Sequence, residues 1–159
     1  MSFFDYPGTD AGDGGTTATA EAAEVFLADA TDADWAVLLR HCRRRQFTAG
    51  EAVIAPGARE RSLVFVVTGE LDVLAPNASR RNRLIATVGA GSVLGEVSFF
   101  DAAGRSALVQ ARTPGEVAEL SLSDFEALAR EAPVLSGQIL FDLGRTLARR
   151  LRATTQSAT

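Results

Sequence analysis

Residues 94–108, LGEVSFFDAAGRSAL, set a carboxylate, Glu96, inside an apolar run and an arginine, Arg105, in a Gly-Arg-Ser loop that returns at once to apolar residues. Glu and Arg are rarely buried unless they are paired. A segment that carries both into what reads as core either joins them to each other or holds something between them. Around it, from Gln46 to about Leu122, short apolar segments alternate with turns rich in Gly, Pro and Asn: QFTAGEAVIAPG (46–57), SLVFVVTGELDVLAPN (62–77), RLIATVGAGSVLG (83–95) and SALVQARTPGEVAELSL (106–122). Strands this short at this spacing predict an antiparallel sandwich or barrel.

The flanks read differently. Residues 7–19, PGTDAGDGGTTAT, offer almost nothing to bury, so 1–20 reads as a disordered tail. Residues 20–30, AEAAEVFLADA, carry a short helical pattern, and TDADWAVLLRHC (31–42) a stronger one. There Thr31 can cap, Asp34 suits the first turn, and Trp35, Leu38, Leu39 and Cys42 share a face. The basic run at 43–45 reads as the solvated end of that helix, which makes 21–46 a helical segment before a barrel at 47–122. LSDFEALAREAP (122–133) and a helix from about Val134 to Thr154, kinked at Gly144, fill 123–155, with 156–159 as a tail. The expected fold class is therefore α+β: an antiparallel β-barrel between N-terminal helices and a long C-terminal helix.

The chain has 159 residues, 47% hydrophobic and 23% charged, which suits one domain with a real core. A net charge of −4 gives no bulk basic field for nucleic acid or anionic membrane. One cysteine, Cys42, cannot form an internal disulfide and suits a reducing compartment. No apolar run approaches a membrane span, and the N-terminus lacks a secretory pattern. The expected location is the cytoplasm. With a single histidine, His41, and a single cysteine, there is neither a metal cluster nor a nucleophile–base set. The chain is expected not to be an enzyme and to need no cofactor or metal.

The ordered landmarks FTAGEAVIAPG (47–57), FVVTGELDV (65–73), GAGSVLGEVSFFDAAGRSAL (89–108) and GEVAELSLSDFEALAREAP (115–133) resemble those of cyclic-nucleotide-binding domains. These are domains of the kind found in the bacterial cyclic AMP receptor protein and in protein kinase A regulatory subunits. The resemblance runs from about Glu24 to Thr155, it implies that the barrel is a jelly roll (double-stranded β-helix), and segment 94–108 corresponds to the family's phosphate-binding cassette. The chemistry of that cassette can be argued from the residues. A cyclic phosphate suits the planar donor fork of Arg105 and the hydroxyl of Ser106. A short helix starting near Gly95–Glu96 would aim free N–H groups at the same anion. Gly95 and Gly104 permit close backbone approach. Ionised Glu96 only accepts hydrogen bonds, so it suits a ribose hydroxyl. These match the roles that the resemblance implies: Glu96 on the ribose 2′-hydroxyl, Arg105 and Ser106 on the phosphate. The alternative at this point is a buried Glu96–Arg105 salt bridge that fixes the turn.

Val73, Ile85, Leu94 and Val97 are candidates for the apolar wall of a purine site. Leu140, Leu143, Leu147 and Leu151 recur at three- and four-residue steps, a stripe that packs on the barrel or forms a seam with a second copy. ARRLRATT (148–155) resembles the receptor protein's long helix, which makes Leu151, Thr154 and Thr155 candidate lid residues over the base. The stretch between Pro133 and ARRL is four residues longer than in that branch, about one helical turn. The expected function is a stand-alone cyclic-nucleotide sensor, cyclic AMP ahead of cyclic GMP, that relays binding to a partner protein by helix movement. A homodimer through the C-terminal helix, no DNA partner and no membrane complete the expectation. The alternatives are the same fold acting as an interaction module without nucleotide, or binding another cyclic (di)nucleotide.

Overall fold

The computed structural model describes residues 25–76 and 81–157, the side chains of Thr154 and Ser157 excepted. The expected tail at 1–20 lies outside the described residues. In chain order the elements are α1 (Asp32–Arg40), β1 (Arg43–Phe47), β2 (Ala52–Ile54), β3 (Ser62–Thr68), β4 (Leu71–Pro76), β5 (Asn82–Val88) and β6 (Val93–Leu94). They continue with α2 (Glu96–Asp101), β7 (Leu108–Ala111), β8 (Gly115–Ser121), α3 (Leu122–Glu131) and α4 (Pro133–Ser157). Two antiparallel sheets, ordered β1-β8-β3-β6 and β2-β7-β4-β5, form the expected jelly roll.

The strand SLVFVVT explains how the layers stack. Along β3 the side chains alternate faces. Val64 and Val66 enter a cluster with Val53, Ile54, Leu71, Val109 and Val117, which lies between the sheets. Leu63 and Phe65 enter a second cluster with Trp35, Leu38, Phe125, Leu128, Ile139 and Leu143, which joins the sheet to the helices. A strand buried on both faces reads as a continuous apolar run rather than an alternation, and this one does. At the turn after β3 the backbones come close: a Cβ on Gly115 would lie 2.2 Å from Thr68 O.

Thr31 caps α1 as expected: its Oγ1 accepts from Asp34 N–H at 3.1 Å, and the Asp34 carboxylate accepts from Thr31 N–H at 3.0 Å. Upstream, Phe26–Asp29 is a turn, not a helix. Phe26 N–H bonds Gly91 O at 2.9 Å, Leu27 N–H bonds the Asp142 carboxylate at 2.8 Å, and both side chains are buried. Tertiary anchoring overrides the local helical pattern there.

The basic run at 43–45 is likewise not a helix end. It is the edge strand β1, paired to β8 from Arg43↔Glu119 to Phe47↔Gly115. Arg44 and Arg45 find Glu116 and Glu119 across the ladder. Charged side chains on an edge strand also discourage pairing with other chains. The barrel thus opens at Arg43, four residues before the expected boundary. The last helix is unbroken through Gly144 and continues to Ser157, into the expected tail. Its leucines do not share one face. Leu143 is fully buried and Leu147 half-buried, whereas Leu140 is 42% and Leu151 68% exposed.

Candidate functional site

Strand β6 sets the start of the cassette beside β3 through the pair Val64↔Leu94. The chain then turns at Gly95, whose φ of +83° is left-handed, and enters α2 at Glu96. A Cβ at Gly95 would lie 2.1 Å from Arg105 Nη1 and 2.8 Å from Ser62 O, so only glycine fits both the conformation and the space. Phe99 N–H returns to Gly95 O at 3.0 Å. At the other end of α2, Arg61 donates to Phe99 O at 2.8 and 3.1 Å and to Phe100 O at 3.3 Å. It occupies carbonyls that a short helix leaves open.

Arg105 is pinned by its backbone and by its side chain. Its N–H bonds Ala58 O and its carbonyl accepts from Gly57 N–H, both at 2.8 Å. Its guanidinium is buried, and it donates to Gly95 O at 2.9 Å, Ser62 O at 2.8 Å and Ser62 Oγ at 3.1 Å. All three acceptors are neutral. Among the described residues no carboxylate lies within ion-pair distance of it, and burial pulls its pKa down while the more distant Glu60 and Glu119 oppose that shift. A buried cation without a counter-charge is costly unless an anion arrives.

The internal salt bridge that the sequence left open is not formed. Glu96 is 3% exposed and pairs with Arg150 of α4 through Oε1. Arg150 also donates to Val93 O at 3.3 Å, and burial lowers its pKa. The other oxygen, Glu96 Oε2, is buried with no hydrogen-bond partner among the described residues. An orphaned buried acceptor calls for a donor.

The remaining candidates divide. Gly95, Glu96 and Arg105 come together with Leu94, which is buried in the inter-sheet cluster that Val73 packs against. Ser106 is on the surface beside Arg105. Ile85 and Val97 are 55% and 51% exposed, so they line no formed wall here. The lid expectation needs correction: Leu151 is exposed, and Thr155 turns its hydroxyl to Leu151 O at 3.0 Å. The Thr154 side chain lies outside the described residues. One residue is 100° of helix rotation, and it is Arg150, not Leu151, that faces the cassette. Ser62 and Arg61 were also missed. The adjacent pair ArgSer in GARERSLVF carried no motif, and only the pairing of β3 with β6 brings it to α2.

A sequence profile of the cyclic nucleotide-binding domain family matches residues 44–132. The chain is 36% identical over 123 residues to the cAMP-activated global transcriptional regulator Vfr of Pseudomonas aeruginosa, covering 75% of this chain and 56% of Vfr. It superposes on the Thermus thermophilus catabolite activator protein with a TM-score of 0.75 at 25% identity, over 85% of this chain and 62% of that one. The c-di-GMP responsive global regulator CLP of Xanthomonas campestris gives 0.72 at 26% identity, over 80% of this chain and 63% of CLP. The chain thus spans a little over half of Vfr and under two thirds of the other two. These relatives overturn the expectation of no DNA partner. Vfr is named a global transcriptional regulator and CLP a global regulator linked to virulence gene expression, and the net charge of −4 read from this stretch does not speak against gene control. With its jelly roll, its long last helix and its profile match, the chain belongs to the cyclic nucleotide-binding domain family.

Proposed function

We propose that the cassette binds a cyclic mononucleotide, with cyclic AMP preferred, and that the domain acts as a non-enzymatic sensor. One observation carries this reading. Among the described residues, a buried guanidinium without a carboxylate partner, Arg105, and a buried carboxylate with one unbonded acceptor oxygen, Glu96, flank the same left-handed glycine. A cyclic nucleotide brings an anion for the first and a hydroxyl donor for the second. Arg105 and Ser106 would hold the phosphate, Glu96 the ribose hydroxyl, and Leu94 and Val73 the nearer side of the base. The preference for cyclic AMP rests on likeness to Vfr, named as cAMP-activated.

Binding would be relayed through α3 and α4. Phe99 of α2 packs edge-on against Phe125 of α3 at 5.7 Å, and Arg150 of α4 pairs with Glu96. A ligand that reorganises the cassette would therefore move the helices that present the outer surface to a partner. A second reading follows from the likeness to CLP, named as c-di-GMP responsive. Calorimetry with cyclic AMP, cyclic GMP and cyclic di-GMP tests both. Saturable one-to-one binding of cyclic AMP, several-fold tighter than cyclic GMP, is expected. Tighter cyclic di-GMP binding favours the second reading, and no heat with any of them refutes nucleotide sensing.

A further inference from the structure

We infer that the hydroxyl of Ser62 is a positioning group for the anion-binding arginine; this rests on the reading of Arg105 above. Ser62 opens β3 and is buried, next to five apolar residues of the same strand. A buried hydroxyl is unfavourable unless it is hydrogen-bonded. Here its oxygen accepts from Arg105 Nη2 at 3.1 Å, while its own carbonyl accepts from the same nitrogen at 2.8 Å.

With Gly95 O on Nη1, these bonds occupy three of the five N–H donors of the guanidinium. Nη2 is thereby fully engaged, and Nε–H and the second N–H of Nη1 are left for an anion. The carbonyl of Ser62 is main chain, placed by a strand whose register sets Ser62 opposite Ser121 of β8, so any residue at this position would provide it. The hydroxyl is the one contact that the side chain chooses. Without it, the fork keeps only Ser62 O on Nη2 and Gly95 O on Nη1, and its orientation is less tightly fixed. Pre-orientation of the charged group before the ligand arrives lowers the ordering cost of binding. Ser62 therefore acts through Arg105 rather than on the nucleotide.

The test is calorimetric titration of the full chain with cyclic AMP for the wild type, Ser62→Ala and Ser62→Thr, with melting curves recorded in parallel. Ser62→Ala should weaken binding about three- to tenfold, the range of a single hydrogen bond. Ser62→Thr, which keeps the hydroxyl, should restore affinity to within about twofold of wild type. The same Ser62→Ala change in an Arg105→Lys background should alter the remaining affinity by less than about twofold, because a lysine has no fork to orient. If wild type binds and Ser62→Ala binds equally well, the inference fails while the site reading stands. If Ser62→Ala loses affinity equally in both backgrounds, or Ser62→Thr does not rescue, the hydroxyl acts on the fold and not on Arg105. If wild type itself binds no cyclic nucleotide, the site reading falls and the inference with it.

Discussion

A methyl group at position 95 would meet both Arg105 Nη1 and Ser62 O, on a backbone that L residues seldom adopt. Gly95→Ala should therefore destabilise the cassette by more than about 1 kcal/mol and abolish nucleotide binding, read by melting temperature and by calorimetry. Arg105→Ala should lower affinity at least about 100-fold. It should also cost about 1–3 kcal/mol of stability, since it takes the guanidinium donor from the buried Ser62 carbonyl, whereas Gly95 O keeps Phe99 N–H. An Arg105→Ala protein with unchanged affinity would exclude the guanidinium from the site. Glu96→Gln should weaken cyclic AMP more than its 2′-deoxy analogue, because the amide accepts less strongly than the carboxylate; equal losses would assign Glu96 to α4 alone. Burial pushes the Cys42 thiol up to about 12, with Asp124 adding to the shift and Arg44 opposing it. The thiol thus stays protonated through neutral pH, and its stabilising share is lost only as pH rises from about 9 toward 12. Native protein at pH 8 should resist iodoacetamide, and denatured protein should react within minutes.

At the scale of elements, α4 matters because one of its arginines crosses to the cassette. Arg150→Ala would leave a 3% exposed carboxylate without its cation. Only the carboxylate is buried, Arg150 itself being half exposed, but a buried charge that loses its partner is destabilising, so the variant should melt a few degrees lower. Arg150→Ala with Glu96→Gln should recover most of that loss, because the second change removes the stranded charge. Helix α1 gives a simpler case. Its capping box is complete, and Thr31→Ala should cost about 1 kcal/mol in denaturant titrations without touching ligand affinity. The elements also show how much local pattern can decide. The apolar run of β3 and the cap of α1 were readable, because each depends on neighbours within a few residues. The turn at 26–29 and strand β1 were not, because hydrogen bonds to Gly91, to Asp142 and to β8 outweigh local preference there.

For the molecule as a whole, cyclic AMP at 100 times its dissociation constant should stabilise the fold by about 2.7 kcal/mol. For a chain of this size that is a rise of roughly 5–10 °C in melting temperature. No shift with a nucleotide that calorimetry shows to bind would mean equal affinity for the unfolded chain, against a site built from distant strands. By itself the sequence determined the jelly roll, the cassette, and the roles open to Glu96 and Arg105. The barrel rests on strand spacing and ordered landmarks from 46 to 133, the cassette and its roles on residue chemistry within 94–108. Tertiary structure alone decided that Glu96 answers to Arg150, 54 residues away, and Arg105 to Ser62, 43 residues away. It also decided that Leu151 faces solvent while its neighbour faces the site. The reason is physical: the rotation of a long helix on a barrel, and the strand that lies beside a glycine turn, are set by packing summed over the whole core.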